Sequence, residues 1–148
     1  MHRTDDTLDA TGAAADAVQP QDLRSLLEGA GFVGARERTW AGMQGPFARV
    51  VVRAWVFGSA GGAATFLTWV RDQPAQLIGI AQPVDGGAGL PDSVALALHR
   101  PSGCCHEETP IYLASWRRGP VVWTIRASGP RIRTTPVLSL VAQIEQEV

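Results

Sequence analysis

Lysine is absent from this sequence, since all thirteen basic residues are arginines. The absence excludes Schiff-base chemistry on a lysine and P-loop nucleotide binding, which needs a lysine beside the phosphates. No run of eighteen or more apolar residues occurs, so we predict no membrane-spanning segment in this chain. Fourteen acidic residues balance the arginines to a formal net charge of −1, which argues against nucleic acid as a partner.

Cysteine is also scarce: the chain has two, which are neighbours in the segment Cys104–Glu108, CCHEE. Zinc sites normally separate their cysteines by two to four residues, because adjacent side chains point apart. A plain surface turn is therefore the favoured interpretation. The metal candidates of the alternative are His99, Cys104, Cys105 and His106. A thiol nucleophile is the third interpretation, although no residue that would orient a base is evident. We predict no catalytic residue, no bound metal and no cofactor.

The first 18 residues are rich in Asp, Thr and Ala and show no apolar period. They predict a disordered leader, whose removal would leave stability nearly unchanged. Residues 19–148 are predicted to form a single α+β domain. The leader lacks the basic and apolar regions of a signal peptide, so both a cytoplasmic protein and one with a removed export segment stay open.

Apolar periodicity, caps and turn residues predict eight elements in the order α-β-β-α-β-β-β-α. These are Pro20–Glu28, Val33–Ala41, Phe47–Phe57, a helix capped by Ser59 and ending near Asp72, Ser93–Arg100, Ile111–Arg118, Pro120–Ser128, and a helix capped by Thr135. Runs of strands with few crossovers indicate an antiparallel sheet of about five strands, with helices on one face and the other face partly open. The loop 75–92 is long and rich in Gly and Pro, and a loop of that length in a compact domain is usually functional or mobile.

Arginine and aromatic residues alternate along the predicted strands, which predicts a shared surface on the sheet. Its members are Arg36, Arg38, Trp40, Arg49, Arg53, Trp55, Tyr112, Trp116 and Arg118, with Arg126 as a further candidate. Arginine and tryptophan are frequent in protein-binding hot spots and on single-stranded nucleic-acid platforms. A sheet face held together by cation–π pairs explains the same pattern without any ligand.

Several short sequence segments resemble those of small actinobacterial exported domains and lipoproteins. They are Gly31-Phe32, Arg38-Thr39-Trp40, Val56–Ala63, Gly89–Ser93 and Arg118–Val122. Some of those proteins have a PsbP-like α/β/α sandwich. The resemblance implies a non-enzymatic domain of the cell envelope, tethered or secreted, that binds a partner protein or a small apolar ligand.

Three functions remain open at this stage. The favoured one is a binding or interaction domain of the cell envelope, in which the Arg/Trp surface and the 75–92 loop make the contacts. The second is a small metal- or thiol-dependent enzyme that uses the Cys104–Glu108 loop. The third is a structural subunit whose open sheet face forms an oligomer interface. The first is favoured because no nucleophile, base and orienting residue can be assembled into one site.

Overall fold

The computed structural model describes residues 2–42, 45–79, 81–84, 94–99, 109–130 and 132–147. In chain order its elements are β1 His2–Leu8, α1 Ala10–Ala14, α2 Pro20–Gly29, β2 Phe32–Ala41, β3 Arg49–Phe57, α3 Ala60–Asp72, α4 Ala75–Ile78, β4 Gln82–Pro83, β5 Ala95–His99, β6 Ile111–Arg118, β7 Val121–Ser128 and α5 Thr134–Glu147. All strands join one antiparallel sheet in the spatial order β1-β2-β3-β7-β6-β5-β4.

The sheet has seven strands within the described ranges, so the prediction of about five strands in a different order is wrong. The first additional strand, β1, lies in the predicted leader and pairs with β2 along its whole length. Its sequence HRTDDTL is exposed at six positions, and only Leu8 is half-buried. An edge strand of this kind is held by backbone hydrogen bonds. It has no alternation of apolar and polar residues, so the sequence does not reveal it as a strand. The short β4 is the second addition, and α1 and α4 are also new. The α+β class itself is correct.

Helices lie on both faces of the sheet, which corrects the prediction that they lie on one face only. On one side, here called the four-helix face, residues of α1 to α4 pack against Trp55 and Phe57 of β3. On the opposite side, the α5 face, Val137 and Val141 of α5 pack among residues that include Val50 of β3. Strand β3 therefore has apolar residues of both parities, as expected of a central strand covered on both sides.

Aromatic side chains fill the middle of the four-helix face. The ring centroid of Trp55 lies 4.6 Å from that of Phe66 in α3, and Phe57 lies 5.4 Å from the same ring. The indole Nε1 of Trp55 donates a hydrogen bond of 2.9 Å to Oγ1 of Thr124 on β7. The polar atom of this fully buried ring is thereby satisfied, and the bond ties β3 to β7.

Helix α3 starts at its predicted cap. The Oγ atom of Ser59 accepts a hydrogen bond of 3.0 Å from the backbone N–H of Gly62. At this point the first turn of α3 packs directly against the end of α2, and a Cβ atom at Gly62 would overlap the carbonyl oxygen of Ala30. A glycine is therefore required here by close approach of two backbones.

We expect Gly62→Ala to lower the free energy of unfolding by roughly 2–3 kcal/mol, because backbone must move to admit the methyl group. The matched control is Gly61→Ala in the same turn, where the nearest atom to a new Cβ would be Ser59 Oγ at 3.9 Å. The control should be neutral or more stable by up to about 1 kcal/mol, since alanine favours the helix. Urea unfolding of the two variants measures the difference, and equal stabilities would contradict the close approach.

Among the described residues, no helix combines the length and the apolar character needed to cross a membrane.

Candidate functional site

The predicted Arg/Trp surface is divided between the two faces of the sheet. Strand pairing places Arg36, Arg38 and Trp40 on the α5 face, because Arg38 lies opposite Val52 and Trp40 opposite Val50. Arg49, Arg53 and Trp55 have the other parity and lie on the four-helix face, together with Arg126 of β7. Tyr112, Trp116 and Arg118 of β6 return to the α5 face. The nine residues do not form one surface.

Burial separates the members further. Trp55 and Trp116 are 1% and 0% exposed and belong to the two cores. Arg53 and Tyr112 are buried as well, and the Tyr112 hydroxyl lies 2.9 Å from Oγ1 of Thr134. These four side chains therefore contact the rest of this chain and are not available at the surface. Arg36, Arg38, Arg49 and Arg118 are exposed and Trp40 is half-buried, so a binding role for these five stays a prediction.

Three of these residues on the α5 face, Arg36, Arg38 and Trp40, line a cleft of about 530 Å³. The buried side chains under α5 come from β3, β5, β6 and β7, whereas β1 and β2 extend beyond this core. The cleft lies where α5 ends and these two strands continue. Its lining residues are Asp5, Asp6, Thr7, Arg36, Glu37, Arg38, Trp40, Val52, Ala54, Trp123 and Ile144.

A small residue on the central strand leaves room for the cleft. Ala54 lies in register between Arg36 of β2 and Trp123 of β7, and its methyl group is the only side-chain atom it contributes. The indole of Trp123 is stacked on the buried Trp116, with 6.4 Å between centroids and 14° between planes. Ile144 in the last turns of α5 adds an aliphatic side chain. Val52, Ala54, Trp123 and Ile144 thus give the cleft an apolar lining.

The rim of the cleft carries an ion pair. Nε of Arg38 donates to Oδ1 of Asp5 at 2.5 Å, and the guanidinium of Arg38 also lies 5.9 Å from the ring centroid of Trp40. Hydrogen bonds from Arg38 and then from Arg3 hold the pKa of Asp5 below its usual range. Asp5 is therefore charged at neutral pH and pairs with both Arg38 and Arg3.

Arg36 differs from Arg38 in its surroundings. It lines the same cleft between Thr7 and Ala54, which are its register neighbours and carry no charge. Within the described ranges, no carboxylate forms an ion pair with its guanidinium. Glu37 and Asp6 also line the cleft, but their parity directs these side chains to the four-helix face. Among the lining residues, Arg36, Arg38 and Asp5 carry the charges on the cleft side, which sum to +1; Arg3, which shares Asp5 with Arg38, is not one of the lining residues.

The opposite face contains a second charge cluster, which is partly buried. Arg53 donates from Nε to Oε2 of Glu37 at 2.6 Å and from NH1 to the carbonyl oxygen of Ala13 at 2.8 Å. Arg126 donates to Oδ2 of Asp16 at 2.7 Å. Burial raises the pKa of Asp16, but the charges of Arg126 and Arg53 and the hydrogen bond from Arg126 outweigh this and lower it. The two arginines and the two carboxylates balance each other in charge. The carbonyl group of Ala13 and the carboxylate of Asp16 belong to the segment of α1, so the contacts from Arg53 and Arg126 fasten this segment to the sheet.

The metal and thiol candidates Cys104, Cys105 and His106 lie outside the described residues. His99 ends β5, and its ring atoms would lie 3.3 Å from a Cβ placed on Gly79, whose φ is +84°. Among the residues that the structure describes, no group of three or more His, Cys, Asp and Glu side chains could hold a metal ion.

Several residues of the cleft were not predicted from the sequence. Asp5 and Thr7 lie in the segment predicted to be a leader, and Ala54 and Ile144 are ordinary apolar residues. Trp123 did carry a signal, since its parity within β7 differs from that of Arg126 and would have placed it on the same face as Trp40 once β3 and β7 are paired. The remaining four residues have no signal that singles them out.

No protein-family model matches the chain, and no curated protein matches it. Among solved structures, the fold is similar to that of the extracellular domain of PknH from Mycobacterium tuberculosis, with a TM-score of 0.57. The identity is 14%, and the match covers 98% of this chain and 79% of that domain. At this identity the likeness is one of fold. It lends no support to a PsbP-like sandwich or to any particular family.

Proposed function

We propose that this chain is a non-enzymatic binding domain of the cell envelope, and that it binds a small ligand in the cleft beside α5. The observation that carries the proposal is the cleft itself, which combines an apolar lining with charged residues at its rim. Its volume of about 530 Å³ falls within the range of roughly 300–1,000 Å³ that is usual for sites of small molecules. The fold similarity to an extracellular domain supports the proposed location.

The part of the Arg/Trp surface that joins this site is Arg36, Arg38 and Trp40, because these residues line the cleft. The described part of the 75–92 segment lies elsewhere: α4 packs into the core of the four-helix face, and β4 forms the edge of the sheet opposite β1. These two elements are thus a separate candidate for contacts. The alternative of an enzyme rests on Cys104–Glu108, outside the described residues.

Binding of a neutral apolar fluorophore, N-phenyl-1-naphthylamine, tests the site. We expect saturable binding with one site per chain in the parent. Ala54→Leu should weaken this binding by at least about tenfold, because the larger side chain enters the cleft and fills it. Fluorescence titration measures both dissociation constants, and circular dichroism establishes that the variant is folded.

The control is Ala60→Leu, an exposed position at the start of α3 on the four-helix side. It adds the same volume away from the cleft and should bind the fluorophore as the parent does. A folded Ala54→Leu variant with unchanged binding, or no saturable binding by the parent, would overturn the proposal.

A further inference from the structure

We infer that the ligand of the cleft is a small amphipathic monocarboxylate, whose carboxylate binds Arg36 and whose apolar body lies against Val52, Ala54 and Trp123. The inference rests on the proposed function and adds the chemical class of the ligand. It follows from the distribution of charge and apolar surface in the cleft.

The charge of the ligand follows from the two arginines. Arg38 is paired with Asp5, a carboxylate that it shares with Arg3. Arg36 faces the cleft, and no carboxylate of the described residues pairs with it. One uncompensated guanidinium complements one negative charge. A dianion such as a phosphate ester would keep an unpaired charge beside Asp5, so a monoanion fits better.

The head group follows from the geometry of arginine. A guanidinium is planar and donates two parallel hydrogen bonds to the two oxygens of a carboxylate, which fixes the orientation of the ligand as well as its charge. Thr7 is the register neighbour of Arg36 on β1, and its hydroxyl is a further polar group on the same side. An alcohol or an amide would leave Arg36 without a charged acceptor.

The body of the ligand follows from the other neighbours of Arg36. Ala54 lies directly opposite Arg36, and Trp123 lies opposite Ala54 on the next strand. Adjacent strands are about 4.8 Å apart, so a ligand held at Arg36 reaches Trp123 within roughly 10 Å across the sheet. A chain of about eight to ten carbons spans this distance and covers the apolar lining.

Displacement of N-phenyl-1-naphthylamine by decanoate and by decanol tests the inference, because the two compounds share a chain and differ in charge at neutral pH. For the parent we expect decanoate to bind at least about tenfold more tightly than decanol. Arg36→Gln should remove this preference while the affinity for decanol stays the same. Arg49→Gln, an exposed arginine on the opposite face, is the matched control and should keep the full preference.

The outcomes separate the two proposals. Equal binding of decanoate and decanol by the parent, or a preference that survives Arg36→Gln, would overturn the monocarboxylate and leave the cleft as a site for neutral ligands. If neither compound displaces the fluorophore and Ala54→Leu still binds it, the cleft is not the site and both proposals fall.

Discussion

Removal of residues 1–18 is expected to destabilise the protein by about 3–4 kcal/mol and to lower its melting temperature by roughly 10 °C or more. The deleted segment contains Ala13 and Ala14, which are 0% and 1% exposed within the core of the four-helix face. It also contains Asp16, which binds Arg126, and the carbonyl group of Ala13, which accepts from Arg53. Without the segment, both arginines lose an acceptor in a partly apolar environment.

A shorter deletion separates β1 from α1. Removal of residues 1–8 takes away an edge strand whose side chains are almost all exposed, while α1 and its contacts to Arg53 remain. We expect this variant to lose about 1–2 kcal/mol, clearly less than the longer deletion. Thermal unfolding followed by circular dichroism compares the two. A parent-like melt of the chain without residues 1–18 would show that α1 is not docked and that the segment is a leader after all.

The second large effect is expected at Arg53. Arg53→Met should lower the free energy of unfolding by about 3–5 kcal/mol, because the largely buried carboxylate of Glu37 loses its close partner and keeps, among the described residues, only Arg126, at 3.9 Å. The side chains of Arg53 and Glu37 are only 5% and 13% exposed. Arg53 also lies 4.7 Å from the ring centroid of Trp55, a cation–π contact that methionine cannot replace.

Arg38→Met is the control for this measurement, because Arg38 also pairs with a carboxylate but on the exposed side of the sheet. Arg38 and Asp5 are 47% and 52% exposed, and solvent screens such pairs, so the loss of stability should be much smaller than for Arg53→Met. Adding Glu37→Leu to Arg53→Met should restore much of the lost stability, since it removes the carboxylate that has lost its close partner. Urea unfolding measures all three variants. A loss below about 1 kcal/mol for Arg53→Met would contradict the buried ion pair.

Elements with caps and apolar stripes could be predicted from the sequence. Pro20 begins α2, Ser59 caps α3, and Val137 and Val141 of the last helix are fully buried. These signals are local, because each depends on residues within one or two turns. The strand β1 has no such signal, since its exposed side chains are polar on both faces and its stability comes from pairing with β2.

The composition of the site could not be predicted, for a different reason. The alternation within one strand is visible in a sequence, but the parity that neighbouring strands share is set by their register. Arg36 and Arg38 have even numbers and share a face with Val52, whereas Arg53 has an odd number and lies on the other face. A shift of one residue would have brought these arginines together. The turn between β2 and β3, which fixes the register, has no short motif that determines it.

The spatial order of the strands also bears on how the protein folds. Strands β1 to β3 are neighbours in the sheet as well as in the chain, and so are β4 to β7, so that β3 and β7 form a single seam between two meanders. The hydrogen bond from Trp55 to Thr124 crosses this seam and joins residues 69 positions apart. Because a loop of that length must be closed, we expect the seam to form more slowly than the two meanders, which need only local pairing. Ala54 belongs to the first meander, and Trp123 and Ile144 follow from the second half of the chain. The lining of the cleft combines residues from both sides of the seam, so the cleft forms only when β3 and β7 have paired.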